Sequence, residues 1–190
     1  MLIYLIRHGE TASNAARILQ TPDIPLSAIG IRQAELLARR LAGSGITHIW
    51  SSDLRRAVMT AERLQATTGA TLRFDAELQE RNYGDARGTP YAELGIDILA
   101  PDYAPPNGET WATFHARVDS VWSRVVAALP LLRGNLAVVT HGLVCHSLAS
   151  RHLTVSDTAL ARWTNTSVTI IDAVPPWTVQ TLNCTAHLND

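Results

Sequence analysis

The residues of this chain best equipped for chemistry stand where apolar runs stop. "LIYLIRHGETASN" breaks from a strand-like run into Arg7, His8, Gly9 and Glu10, and "LAVVTHGLV" repeats the event with Thr140, His141 and Gly142. A third run, "HIWSSDLRRA", delivers Arg55 and Arg56 into the first turn of a helical pattern. Arginine's planar fork grips phosphate or carboxylate, and a neutral imidazole attacks when one ring nitrogen is tied by a hydrogen bond and the other is bare. His8 fits that need, because Gly9 lets the backbone come close to both ring and ligand. Phosphoryl transfer asks for such a nucleophile in line, donors on the equatorial oxygens and an acid for the leaving oxygen.

These groups meet only if the runs are parallel strands of one sheet. Their ends then share its carboxyl edge, where open α/β sheets bind ligands, and a helix amino terminus joins the cations as an anion site. The wider pattern supplies that frame. Strand-like runs occur at 2–6, 47–51, 71–74, 136–140, 167–171 and 177–182. Helical patterns fall between the early ones, from the candidate cap Ser27 to Gly45 and from Asp53 to Gly69. Apolar residues from Trp111 to Leu129 recur at helical spacing in a long helix over 110–132, and another helix follows Gly142. Alternation of helices and strands predicts an α/β fold, a largely parallel central sheet flanked by helices. Residues 75–107, rich in Gly, Pro, Asp and Tyr, read as a small excursion over the carboxyl edge with at most a short helix near 91–99, inside a single domain of 1–190.

Composition narrows the classes. The chain has 190 residues, 46% hydrophobic and 17% charged, with formal net charge −1, so nucleic acid and anionic membranes are not expected partners. All sixteen basic residues are arginine, which excludes a lysine-bearing phosphate loop, a Schiff-base enzyme and a lysine-dependent kinase site. Cys145 and Cys184 lack disulfide-framework or metal spacing. The first apolar run is too short for a signal peptide or membrane span, and a cytoplasmic enzyme is the expectation.

The motifs together resemble the phosphoglycerate mutase-like family, also called the histidine phosphatase superfamily. "RHGETASN" is similar to its signature, and "PLSAIGIRQA", "SSDLRRAVMTA", "LQERNYGDARG", "NGETW" and "VVTHG" resemble its later segments in order. The resemblance implies that His8 becomes phosphorylated, that Arg7, Arg56 and His141 hold the phosphoryl oxygens, and that Glu80 protonates the leaving oxygen and later activates water. Arg56 rather than Arg55 matches the family's Arg-Ala-x-x-Thr-Ala arrangement, and helix neighbours point about 100° apart. Asn14, Gln20, Thr21, Arg81, Tyr83 and Gly142 are the expected substrate contacts. No metal or other cofactor is implied. The expected partner is a small phosphomonoester, and the sequence does not address oligomeric state.

The family includes mutases and phosphatases. "ERNYG" is closer to the mutase form, yet 89–109 holds no arginine or lysine while offering Glu93, Asp97, Asp102 and Glu109. Like charge would repel a second anionic group, so the expectation is a phosphatase whose leaving group is neutral or modestly charged. The alternatives are phosphoglycerate mutase-type transfer, a non-catalytic phosphate-binding module, and a zinc hydrolase built on His141, Cys145 and His146, against which Cys145 and His146 adjoin each other and share no helix face with a clear third ligand.

Overall fold

The computed structural model describes residues 1–155 and 163–189. Six strands, β1 (Leu2–Arg7), β2 (Ile46–Ser51), β3 (Thr71–Phe74), β4 (Asn135–Thr140), β5 (Val168–Asp172) and β6 (Val179–Cys184), form one sheet in the order β3-β2-β4-β1-β5-β6. The pairs β1·β4, β2·β4 and β2·β3 are parallel, whereas β5 runs antiparallel to β1 and to β6. The fold is the mixed, mostly parallel α/β sheet that the alternation of elements predicts.

Helices cover both faces because successive strand side chains point to opposite sides. On one face Tyr4, Ile6, Ile49, Ala137 and Val139 pack with Leu37 and Leu41 of α2 (Ala28–Leu41) and Ala57, Ala61 and Leu64 of α3 (Arg55–Thr68). On the other, Ile3, Leu5, Trp50, Leu136 and Val138 pack with Phe114, Val118, Val121 and Val125 of α4 (Trp111–Ala128) and Val144 and Leu148 of α5 (Gly142–His152). A one-turn helix, α1 (Ala12–Ala15), follows the first motif.

Helix ends obey local chemistry. Ser27 Oγ accepts from Gly30 N at 3.0 Å, capping α2 as its position suggests. α3 begins at Arg55 rather than Asp53, because Leu54 N donates to Ser52 Oγ at 3.2 Å and the Asp53 carboxylate accepts instead from Gln79 at 2.7 Å. α4 is capped by Thr110 and runs on through a 3-10 turn to Leu131.

The excursion has only 3-10 turns at 76–78, 84–86 and 91–93, so the short helix near 91–99 reduces to its first three residues. It is tied to the loop after α1 by Gly88 N to Leu19 O (2.7 Å) and Leu19 N to Thr89 O (3.0 Å). Gly84 turns it with φ of 51°, where a Cβ would stand 1.9 Å from Pro106 O. Among the described residues no helix is long and apolar enough to cross a membrane.

Candidate active site

Register brings the chemistry together. Arg7 pairs with Thr140 across β1 and β4, and Ser51 pairs with Val139 across β2 and β4, so three adjacent parallel strands end level. His8 and His141 are the next residues on two of them, with His8 N donating to Thr140 O at 2.9 Å. Both rings are buried, and their centroids are 5.0 Å apart.

His8 Nδ1 lies 2.7 Å from Gly9 O. A carbonyl only accepts, so the proton sits on Nδ1 and Nε2 is the bare nitrogen. Close approach fixes the ring's platform: Gly9 N donates to Thr60 Oγ1 at 3.1 Å, Thr60 Oγ1 donates to Arg56 O at 2.8 Å, and a Cβ on Gly9 would meet Gly30 O at 2.7 Å. Burial, then the charges of Arg56 and Arg7, push the His8 pKa well below its ordinary 6.5. The ring is therefore neutral near pH 7, as a nucleophile requires.

Arg56 is buried on α3 while Arg55 is exposed, as the angular separation of helix neighbours dictates. Arg56 Nη1 donates to Thr21 O at 3.2 Å, and burial, with Arg87 and Arg7 as further positive charges, lowers its pKa to about 10 despite Glu80. Arg7 Nη1 donates to Trp163 O. His141 Nε2 lies 2.8 Å from Ser52 Oγ, whereas buried Nδ1 has no partner among the described residues. Burial first, then Arg56, His8 and Arg7, also keep His141 neutral by lowering its pKa well below 6.5.

Glu80 faces this group from the excursion and is only partly accessible. Its Oε2 accepts from Leu143 N in the first turn of α5 at 3.2 Å, and its Oε1 accepts from Arg81 N at 3.0 Å. Burial raises its pKa above the ordinary 4.5, opposed by those two amides and by Arg56 and Arg7. Gly142 stands between the catalytic candidates: a Cβ there would lie 3.6 Å from Arg7 Nε and 3.9 Å from Glu80 Oε2. Two neutral imidazoles, two guanidinium groups and one acid suited to holding its proton leave a site with net positive charge, fit for a phosphoryl dianion.

The remaining expected contacts divide. Thr21 contributes its carbonyl to Arg56, Gln20 Oε1 accepts from Thr11 Oγ1 at 2.8 Å, and Asn14 Oδ1 accepts from Asn165 Nδ2 at 3.2 Å. Tyr83 is buried, and its phenol is pushed up by burial and by the Glu80 charge. Arg81, an expected substrate contact, is bonded within the excursion in this structure. It is 1% exposed, its Nε and Nη2 donate to Glu109 O, its Nη1 donates to Ile98 O, its Nη2 also donates to Tyr103 O, and its guanidinium carbon stacks 3.9 Å over the Trp111 ring. It holds the excursion together instead.

Sequence reasoning missed Ser52, Thr60 and Asn165, whose Nδ2 donates to His8 O at 3.0 Å. Ser52 was visible as a small polar residue at the end of β2, but Asn165 gives no local signal. Glu109, read as repelling a substrate anion, is paired with Arg117 at 2.7 Å. His115, His152 and His187 bond to Ser147, Asp119 and Arg40, and His146 is exposed. Among the described residues no group of three or more His, Cys, Asp or Glu could hold a metal ion.

The sequence and the fold have relatives among known proteins. The chain is 35% identical to a probable phosphoglycerate mutase, GpmB, of Yersinia pestis strain Pestoides F, over an alignment covering 98% of this chain and 94% of that one. A putative alpha-ribazole-5'-P phosphatase from Escherichia coli K-12 superposes with a TM-score of 0.85 at 28% identity, covering 98% and 97%. A mycobacterial glucosyl-3-phosphoglycerate phosphatase in complex with VO3 gives 0.78 at 28% identity and covers 90% of each chain. The model of the histidine phosphatase superfamily (branch 1) matches residues 3–185, and with the strand-end histidines and their arginines in place the chain belongs to the histidine phosphatase superfamily.

Proposed function

We propose that this chain is a metal-independent hydrolase of a small phosphomonoester, working through phosphorylated His8. The observation that carries the reading is the His8 ring itself, with Nδ1 tied to Gly9 O and Nε2 bare, beside Arg7 and Arg56. The Nε2 lone pair attacks phosphorus, Glu80 gives its proton to the departing oxygen, and the P–O bond breaks. Glu80, now a carboxylate, takes a proton from water, whose oxygen attacks phosphorus as the P–N bond electrons return to Nε2. Arg7, Arg56 and His141 hold the equatorial oxygens. Phosphatases among the structural neighbours support hydrolysis.

The name of the Yersinia relative favours a second reading, mutase-type transfer. Against it stands Arg81, whose guanidinium is occupied by carbonyl oxygens and so is withheld from a second anionic group. Arg87 is the excursion's other arginine, and its charge reaches Arg56. The leaving group is then neutral or modestly charged, in line with the sequence expectation, although Glu109 no longer contributes repulsion. A cytoplasmic setting fits two free cysteines and a net charge near zero.

The test is hydrolysis of aryl, sugar and nucleoside phosphates in the presence of a chelator, alongside mutase assays on phosphoglycerates. Wild type should turn over the monoesters and yield acid-labile phosphoenzyme, and His8→Ala should do neither. Activity that vanishes with the chelator, or efficient phosphoglycerate interconversion, would refute the reading.

A further inference from the structure

Among the described residues the carboxyl group of Glu80 is held by main-chain amides alone, those of Arg81 and Leu143. Its position therefore follows the path of residues 77–82, which beyond the 3-10 turn at 76–78 have no helical or strand ladder to fix them. Two side chains do that work, Arg117 from α4 and Glu109 from just before its cap. Arg117 Nη1 donates to Glu77 O at 2.6 Å and Gln79 O at 2.8 Å, and its Nη2 reaches Glu80 O at 3.5 Å. Its Nε and Nη2 grip Glu109 Oε1 and Oε2 at 2.7 and 2.8 Å. Glu109 Oε2 in turn accepts from Asn82 N at 2.8 Å, while Glu109 N donates to Asn82 O at 2.8 Å. The side chains are only 17% and 15% exposed.

Resting on the functional reading above, we infer that Arg117 and Glu109 are positioning residues for the general acid: as a bidentate pair they clamp the main chain on both sides of Glu80 and set where its proton is delivered. Neither touches the reacting atoms. A planar fork is needed because one guanidinium must satisfy three carbonyls and two carboxylate oxygens at fixed angles. Burial alone would raise the Glu109 pKa, but the Arg117 and Asn82 donors hold it below 4.5, so the clamp stays charged across the working range. Small misplacement of a catalytic group costs on the order of a hundredfold in rate, so the clamp should matter most where the acid matters most.

That gives a test a purely structural role would not pass. An activated aryl phosphate leaves without a proton, whereas an alkyl phosphate needs one, so a displaced acid penalises the alkyl ester selectively. Specificity constants are measured for p-nitrophenyl, phenyl and glycerol phosphates in wild type, Arg117→Lys, Glu109→Gln and the reference Glu80→Gln, with melting temperature and circular dichroism on each. General acids contribute roughly 10²–10⁴-fold. We expect both clamp variants to lose about tenfold or more on glycerol phosphate than on p-nitrophenyl phosphate, a muted copy of Glu80→Gln. Equal losses on all three esters in the clamp variants, with the graded loss present in Glu80→Gln, would overturn the clamp alone. Equal losses in Glu80→Gln would remove Glu80 as the acid and the clamp's purpose with it. Glu109→Gln, which keeps one acceptor oxygen, carries the comparison if Arg117→Lys is poorly folded.

Discussion

The imidazoles of His8 and His141 approach to 5.0 Å between centroids, tilted by 58°, and each has one nitrogen committed to the protein. For His8 the committed atom is Nδ1, leaving a lone pair at Nε2. For His141 it is Nε2, and Ser52 Oγ already accepts from Leu54 N, so the serine's own proton is free to bond that nitrogen. This pattern favours the His141 proton on Nδ1, the buried atom without a partner among the described residues. In the proposed mechanism one ring is thereby set up to attack and the other to donate to a phosphoryl oxygen. Neutral His141 does so without adding a third cation to the Arg7 and Arg56 pair.

The first prediction concerns pH. Phosphorylation needs His8 unprotonated and Glu80 protonated; His8 is shifted down from 6.5 and Glu80 up from 4.5. The specificity constant should rise with pH on the acid side as His8 loses its proton, and fall on the alkaline side as Glu80 loses its own, giving an acidic optimum. In Glu80→Gln the alkaline limb should disappear for an activated aryl ester. An optimum above neutrality, with its alkaline limb intact in Glu80→Gln, would show that another group titrates there.

The second separates adjacent arginines. Arg56→Ala should lower the catalytic rate at least tenfold, or about 1.4 kcal/mol of transition-state stabilisation, while Arg55→Ala stays near wild type. The buried and exposed positions of the two side chains motivate it. Steady-state kinetics showing the larger loss in Arg55→Ala would contradict that geometry.

What the sequence made legible follows from how local each signal is. Strand ends carrying Arg7, His8 and His141 are written as abrupt switches from apolar to polar residues, and parallel pairing then forces convergence. Arg56 over Arg55 follows from helical angle and motif match together. Arg81 is expected at the substrate because "ERNYG" resembles the mutase form, whereas the direction of its side chain depends on the Ile98, Tyr103 and Glu109 carbonyls, up to 28 residues away. Glu109 misled for the same reason: its partner Arg117 is eight residues on, across the start of α4. Irregular segments, with no periodicity to fix side-chain direction, hide such pairings.

The third prediction tests the tautomer of His141. Ser52→Ala removes the hydroxyl bonded to Nε2, freeing the ring to carry its proton there and present a bare Nδ1 to the phosphoryl group. Turnover should fall about tenfold or more, the scale of a lost transition-state donor, with phosphohistidine still detectable because His8 is untouched. Ser52→Thr, which retains a hydroxyl, should recover part of the rate. Equal activity in wild type and Ser52→Ala would show that the serine does not set the tautomer.

The fourth concerns stability. Both histidines have folded pKa values well below 6.5, so as pH falls past that value the unfolded chain binds protons that the folded chain refuses. Stability therefore rises with pH across this window and is lost on acidification, with a limiting slope of about 1.4 kcal/mol per pH unit for each excluded proton. Glu80 acts in the opposite sense: its folded pKa lies above 4.5, so the folded state gains relative stability as pH drops through that value. Before Glu80 titrates the two histidines act unopposed, and while it titrates they still exclude two protons against its one, so the melting temperature should decline as pH falls below about 6.5, less steeply once Glu80 takes up its proton. His141→Gln removes one excluded proton and should flatten the decline by about half, with the polar side chain retained for Ser52. A melting temperature independent of pH in this range, or a slope unchanged in His141→Gln, would mean that the buried ring is not held neutral by the fold.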